Sequence, residues 1–388
     1  NRILIFLLLQ NILLLSSTFF RNNLFTLCHL IYTDTFYMKR KWIRWVSWIL
    51  LTPIILFVIL MVLLYVPPVQ NLLRREVTAY ASKATGMQIQ VERIDLRFPL
   101  NLLVRGVEVI QQPDTLLSLE SLNVRVQAWP LIKGKVEVDE VTLSRVAVNS
   151  ADLMEGMKIK GVLGRFFLQS HGVDLSNELA VINQVELSDT HMQLLMNDTT
   201  TTPKDTTASA PINWKVALHQ LKLKNVSFSM QLPADSMRMT AHIGEAAINN
   251  AQADLKNQYY DLKKFLLSGT SASYDTGTAQ PTEGFDASHI AVRDIRIALD
   301  SLLYKGRDMN AVIREFTMNE RSGLSVTALT GRAYSNDSVI CVPSLKLNTP
   351  HSEIDLSAHT YWELVNIPTT GRLSARLNAY IGKEDVML

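Results

Sequence analysis

The rhythm of apolar residues divides the chain into an uncharged stretch, a short helical stretch and a long region of alternation. Trp45 to Val66 contains no charged residue over 22 positions. As a helix at about 1.5 Å per residue it reaches roughly 33 Å, enough for a hydrocarbon core of about 30 Å. Trp42, Trp45 and Trp48 stand at one end and Tyr65 at the other, where interfacial aromatics are expected. The run therefore predicts a membrane anchor with its ends at Trp45 and Val66, and Pro53 within it predicts a kink. Lys39, Arg40, Lys41 and Arg44 precede it without an acidic residue among them. That bias places the preceding end in the cytoplasm and everything after Val66 across the membrane. A cleaved signal peptide is the rival, but its apolar core runs about 7–15 residues and ends in a small-x-small site. Here Pro67-Pro68-Val69-Gln70 follows.

Beyond the prolines, Val69, Leu72, Leu73, Val77, Tyr80, Ala81 and Ala84 recur at helical spacing. The spacing predicts an amphipathic helix over 67–86, ended by Gly86, that either caps the following sheet or lies on the membrane. Capping is favoured because apolar strands begin at once. From Met87 the period becomes two, as in Met87/Ile89/Val91, Leu122/Val124/Val126 and Val185/Leu187. Such alternation predicts sheets with one apolar and one wet face. The phase slips from Val138 to Val141 and from Leu143 to Val146, which predicts bulges and a strongly curved sheet. Residues 138–148, 182–192 and 218–228 share one motif, starting 44 and then 36 residues apart. That unequal spacing favours an elongated meander or solenoid over a propeller. Residues 197–211 and 268–284 read as polar surface loops, and Leu255–Leu267 as a second amphipathic helix, with Leu255, Tyr259, Leu262 and Leu266 on one stripe.

Composition narrows this picture only at its margins. The chain has 388 residues, a formal charge of +2 and two cysteines, Cys28 and Cys341. The near-neutral balance argues against nucleic acid as a partner, and the cysteine count excludes a disulfide scaffold. The chain opens on Asn1, and Met38 directly precedes the basic cluster, so residues 1–37 read as upstream or extra sequence. The resulting division is 38–66 basic flank and anchor, 67–86 helix, 87–196 first β-segment, 197–211 polar loop and 212–388 second β-segment.

No catalytic signature emerges. There is no phosphate loop, nucleophile elbow, zinc motif or dinucleotide fingerprint. Gly156, Gly161 and Gly164 lack the Lys-Ser/Thr pair of a phosphate loop, and His351 and His359 are not placed as ligands. Cys341, between Ile340 and Val342, reads as a buried structural thiol. The expectation is a non-enzyme without cofactor or metal. The alternating sets Val136/Val138, Val141/Leu143, Leu221/Leu223 and Val226/Phe228 are the candidate functional residues. They line an apolar groove, or else fill a closed sandwich core.

Several segments together carry a family likeness. They are Ile89-Gln-Val91, Ile94-Asp-Leu-Arg-Phe-Pro99, Arg105-Gly-Val-Glu-Val109, Trp129-Pro-Leu-Ile-Lys-Gly134 and Val136-Glu-Val-Asp-Glu-Val-Thr-Leu143. With the basic start, one span and Pro67-Pro68, the chain over about residues 38–360 resembles the amino-terminal region of the AsmA/TamB superfamily. Within it, the TamB-like proteins of Bacteroidetes-type bacteria are the most similar. The likeness implies a long periplasmic β-groove fixed in the inner membrane, serving outer-membrane protein assembly or phospholipid movement between membranes. It implies membrane lipids as ligands and a TamA-like outer-membrane barrel as partner, met through a carboxy-terminal domain absent here. Family members are much longer, so the likeness also implies a fragment. The competing classes are a membrane-tethered hydrolase, which the missing motifs disfavour, and a membrane-tethered regulator with a closed β-domain.

Overall fold

The computed structural model describes residues 48, 51–52, 55–56, 58–59, 62, 65–97, 100–111, 114–127, 130, 137–150, 156–174, 177–196, 213–363 and 372–386. The expectations for residues 1–37, for Trp45, for Val136 and for the polar loop 197–211 lie outside them. Most of the expected membrane span does too. Of its described positions, Trp48, Leu51, Thr52, Ile55, Leu56, Val58, Ile59 and Val62 are helical and exposed, while Tyr65 and Val66 form a turn. Among the described residues no helix is long and apolar enough to cross a membrane.

Helix α1 spans Pro67–Thr85. Two prolines open it, where their missing N–H groups cost nothing, and Gly86 closes it at φ 71°. Strands β1 (Gln88–Arg97), β2 (Asn101–Gln111), β3 (Asp114–Val126), β4 (Val138–Asn149), β5 (Met157–Asp174) and β6 (Leu179–Met196) follow. Next come β7 (Lys215–Leu232), β8 (Met237–Asp254), β9 (Tyr259–Asp275), β10 (His289–Lys305) and β11 (Asp308–Glu320). The last are β12 (Ser325–Val326), β13 (Ala328–Ser335), β14 (Val339–Asn348), β15 (Glu353–Tyr361), β16 (Leu373–Tyr380) and a terminal turn of helix α2 (Lys383–Val386).

All sixteen strands belong to one open sheet, in which chain order is spatial order and β12 pairs off the path with β11. Neighbours are antiparallel except β6 and β7, which run parallel, Leu179 beside Lys215 and Leu195 beside Gln231. The sheet is continuous across that joint, so the expected first and second β-segments form one body. The molecule is mainly β, as its alternation predicts. It is not a closed sandwich. Among the described residues no large side chain is fully buried, and the buried hydrophobic ones are Leu116, Leu119, Ala180, Ala246, Ala298 and Val326.

Three sequence expectations are corrected. Leu255–Leu267 is not a helix: Asp254 accepts the Asn257 N–H at 3.1 Å to close a turn, and β9 begins at Tyr259. The cause is the phase slip. Leu262 and Phe265 lie on one face with two residues between them, and that three-residue step imitates a helical turn. Leu266 points the other way and is exposed. The polar segment 268–284 is also not one loop, because β9 continues to Asp275. Cys341 lies in β14 opposite Tyr334 and His359 and is half-buried, not buried.

The slips fall into line across the sheet. In the first line, residues with left-handed backbone sit in mid-strand at Gly106, Arg145, Asp189, Asn225 and Gly269. Flanking pairs set these against Glu120, Gly164 and Gly244 in neighbouring strands. A side chain at Gly164 would meet Asp189 Cβ at 2.7 Å, and one at Gly244 would meet the Gly269 carbonyl oxygen at 2.8 Å. Each left-handed residue thus crowds its neighbour, and glycine there relieves the contact. Polar partners hold the line: Arg145 pairs with Glu120, and Asn225 Nδ2 donates to Asp189 Oδ1 at 2.8 Å. A second line crosses β6–β9 between Ile182 and Val185, Leu218 and Leu221, Ile248 and Ala251, and Leu262 and Phe265. Asn250 on it is left-handed at φ 57°. The motif shared by 138–148, 182–192 and 218–228 contains both slips.

Candidate functional site

The described candidate residues of β4 and β7 all belong to the face that the slips preserve. Val138, Val141 and Leu143 lie in β4, and Leu221, Leu223, Val226 and Phe228 in β7. They are half-buried except Phe228, which is 42% exposed. The exposed Lys222, Lys224 and Asn225 between them occupy the opposite face or the slip. Val66 is exposed and caps α1.

Register brings these scattered residues into rows. Leu143 pairs with Leu122 on one side and Phe166 on the other. That row continues through Leu187, Leu223, Ala246, Leu267 and Ile297 to Phe316. Toward the first strand it runs through Val104 to Ile94. Every member is apolar across β1–β11. Val141 belongs to a parallel row, through Leu168, Val185, Leu221, Ile248, Phe265 and Leu299. This second row goes on through Ile313, Gly331, Leu345 and Leu356 to Leu377, so it reaches the last strand. Val226 and Phe228 lie beyond the first slip line. There Phe228 is flanked by Met192 and Ala241. Met192 in turn lies over Gly161, where a Cβ would be 2.2 Å from its sulfur. Sequence reasoning missed the contributions of β5 and β9. Leu262, Phe265, Leu267, Thr270 and Ala272 repeat the spacing of the motif in the same direction, and that was the available signal.

The opposite face mixes apolar residues such as Phe167 and Leu266 with charged residues that pair with one another. Arg125 pairs with Glu140 at 3.0 Å, Lys263 with Asp261 at 2.8 Å and Arg314 with Asp300 at 3.3 Å. A furrow of about 650 Å³ on that face, beside Lys305, Asp308 and Arg332, is equally mixed in charge. Among the described residues no group of three or more His, Cys, Asp or Glu side chains is placed to hold a metal ion. Asp286 stands in the turn between β9 and β10. Its carboxylate accepts the Thr282 N–H, then His289 Nδ1 and the Ser288 N–H, which lowers its pKa to about 2. Those bonds shape the turn.

What the arrangement offers is area. Two apolar rows cross the sheet, and nearly all their members are half-buried. No family model matches the chain, and no curated protein matches it.

Proposed function

We propose that the sheet forms the lining of an elongated apolar groove that carries acyl chains, in a TamB-like protein of outer-membrane biogenesis. The carrying observation is the continuity of the apolar rows: polar residues never interrupt the row from Val141 to Leu377. Left-handed residues and bulges bend strands, so in this reading the two slip lines bend the sheet twice across β6–β9, where both run. With the apolar rows inward, fifteen successive strands at about 4.8 Å make a channel of roughly 70 Å.

The energetic case is simple. Each methylene exposed to water costs about 0.8 kcal/mol, so a lipid with two chains of about 16 carbons faces on the order of 25 kcal/mol in open water. A continuous apolar lining covers the chains while the head group stays wet. The reading places the basic flank in the cytoplasm, the 45–66 run in the inner membrane and the sheet in the periplasm, with phospholipid as ligand. A TamA-like barrel is the partner in this reading.

The test is Phe228→Asp or Leu143→Asp in the membrane-extracted chain. Circular dichroism should stay β-dominated while co-purifying phospholipid falls several-fold. A folded variant with unchanged lipid content would defeat the groove at that position.

A further inference from the structure

Helix α1 meets the sheet with the side that its sequence pattern does not favour. Gln70, Arg74, Thr78 and Ser82 recur every fourth residue, and this polar stripe lies along β1. Gln70 Nε2 donates to the Leu96 carbonyl at 3.0 Å, and Arg74 Nη1 to the Glu92 carbonyl at 2.8 Å. The Ile89 N–H donates to Ser82 Oγ at 3.0 Å. These bonds occupy backbone groups of an edge strand, which otherwise stand open to another chain. The helix is thereby held in one rotation. Much of its apolar side, which should be covered in a helix that caps through hydrophobic contact, is left outside: Leu72 is 57% exposed, Val77 51% and Tyr80 75%, while Val69 and Ala81 are half-buried.

We infer that this side of α1 lies on the surface of the membrane that holds the 45–66 run, so the helix sets the mouth of the sheet against the bilayer. The inference rests on the anchored reading above and deepens it. Continuity is the first argument. The uncharged run ends at Val66 and α1 begins at Pro67, so its first turn stands where the run ends. Val66 has ψ 132°, a single extended residue, so α1 does not continue any preceding helix in a straight line. Charge is the second. Arg75 and Lys83 are exposed and flank the apolar residues, as cations do on helices whose apolar side rests at a lipid headgroup layer. Tyr80 brings an apolar ring and a polar tip, the chemistry of an interfacial residue.

The test uses the full chain with Cys28→Ser and Cys341→Ser, reconstituted in phosphatidylethanolamine vesicles containing a minority of phosphatidylglycerol. Nitroxide labels are placed singly at Leu72→Cys, Tyr80→Cys and, as a reference on the last strand, Tyr380→Cys. At 72 and 80, collisions with oxygen should exceed those with a water-soluble nickel chelate several-fold more than at 380. Labels at 72 and 80 as open to nickel as the reference would overturn the inference while leaving the anchor intact. Shielding from both probes would mean a protein cover, such as a second copy, and would overturn it too. A chain that fails to float with the vesicles overturns the anchored reading and the inference with it.

Discussion

The middle of the sheet and its last strands solve the same problem at different widths. Strands β5–β10 are 17 or 18 residues long, and β13–β16 are 8 to 10. In the middle, slips interrupt the pleat twice. Toward the end, one shift separates Arg332 from Tyr334 and another Val342 from Leu345. The β15–β16 ladder then runs from Glu353 opposite Tyr380 to Thr360 opposite Leu373 without interruption. The row through Leu143 reaches β11, whereas the row through Val141 continues to Leu377. Strand length and slips therefore vary together, and one apolar row does not vary. A long strand accumulates twist, and bulges break it into shorter straight pieces; a strand of eight residues has less to break.

If slips belong to the middle strands, crowding them should cost most there. Gly244→Val sets a branched side chain against the backbone oxygens of Gly269 and Ser268, at 2.8 and 3.1 Å from its Cβ. The expected loss is about 1–3 kcal/mol, read as a lower urea midpoint. Ala375→Val on the exposed β16 should stay within about 0.5 kcal/mol. Equal effects at the two sites would break the comparison.

A smaller effect separates backbone strain from lost bonding within one slip line. Asn225 has φ 53° and donates to Asp189 at 2.8 Å. Asn225→Val forfeits both the bond and a tolerated left-handed conformation, at about 2 kcal/mol. Asn225→Gly forfeits only the bond and should cost less than half as much. Thermal melting of the two variants decides it, and a glycine variant as unstable as the valine would remove the conformational argument.

The smallest effect compares two turns. Asp286 closes the β9–β10 turn, and Asp385 accepts hydrogen bonds from Ser352 and Thr349 near the last strand. Both carboxylates are lowered, Asp286 to about 2, by backbone bonding from Thr282 first, and Asp385 by the hydroxyls of Ser352 and Thr349. A lowered carboxylate stabilises the fold above its unfolded pKa of about 4, and that contribution is lost as pH falls through the folded value. Protection of the Thr282 and Ser288 amides, relative to free amides at the same pH, should hold until pH nears 2 and fall below it. Asp286→Asn should remove that acid step and change global stability little.

Much of this architecture is legible along the chain because side-chain direction in a strand is a local property. Alternation at Leu122/Val124 or Val185/Leu187 records one apolar face, and the steps from Val138 to Val141 and from Leu143 to Val146 record where the pleat breaks. Only the folded sheet decides which break lies beside which, since pairing joins residues far apart: Asp189 meets Asn225 across a parallel joint that no local pattern announces. The same limit explains β9, where a break of three residues between Leu262 and Phe265 has the spacing of a helix. It also explains α1. Its apolar stripe is plain in the sequence, but the unpaired carbonyls of β1 attract Gln70 and Arg74 more strongly than they could hold Leu72 or Tyr80. Open edge groups need donors, and that need exists only once the edge has formed.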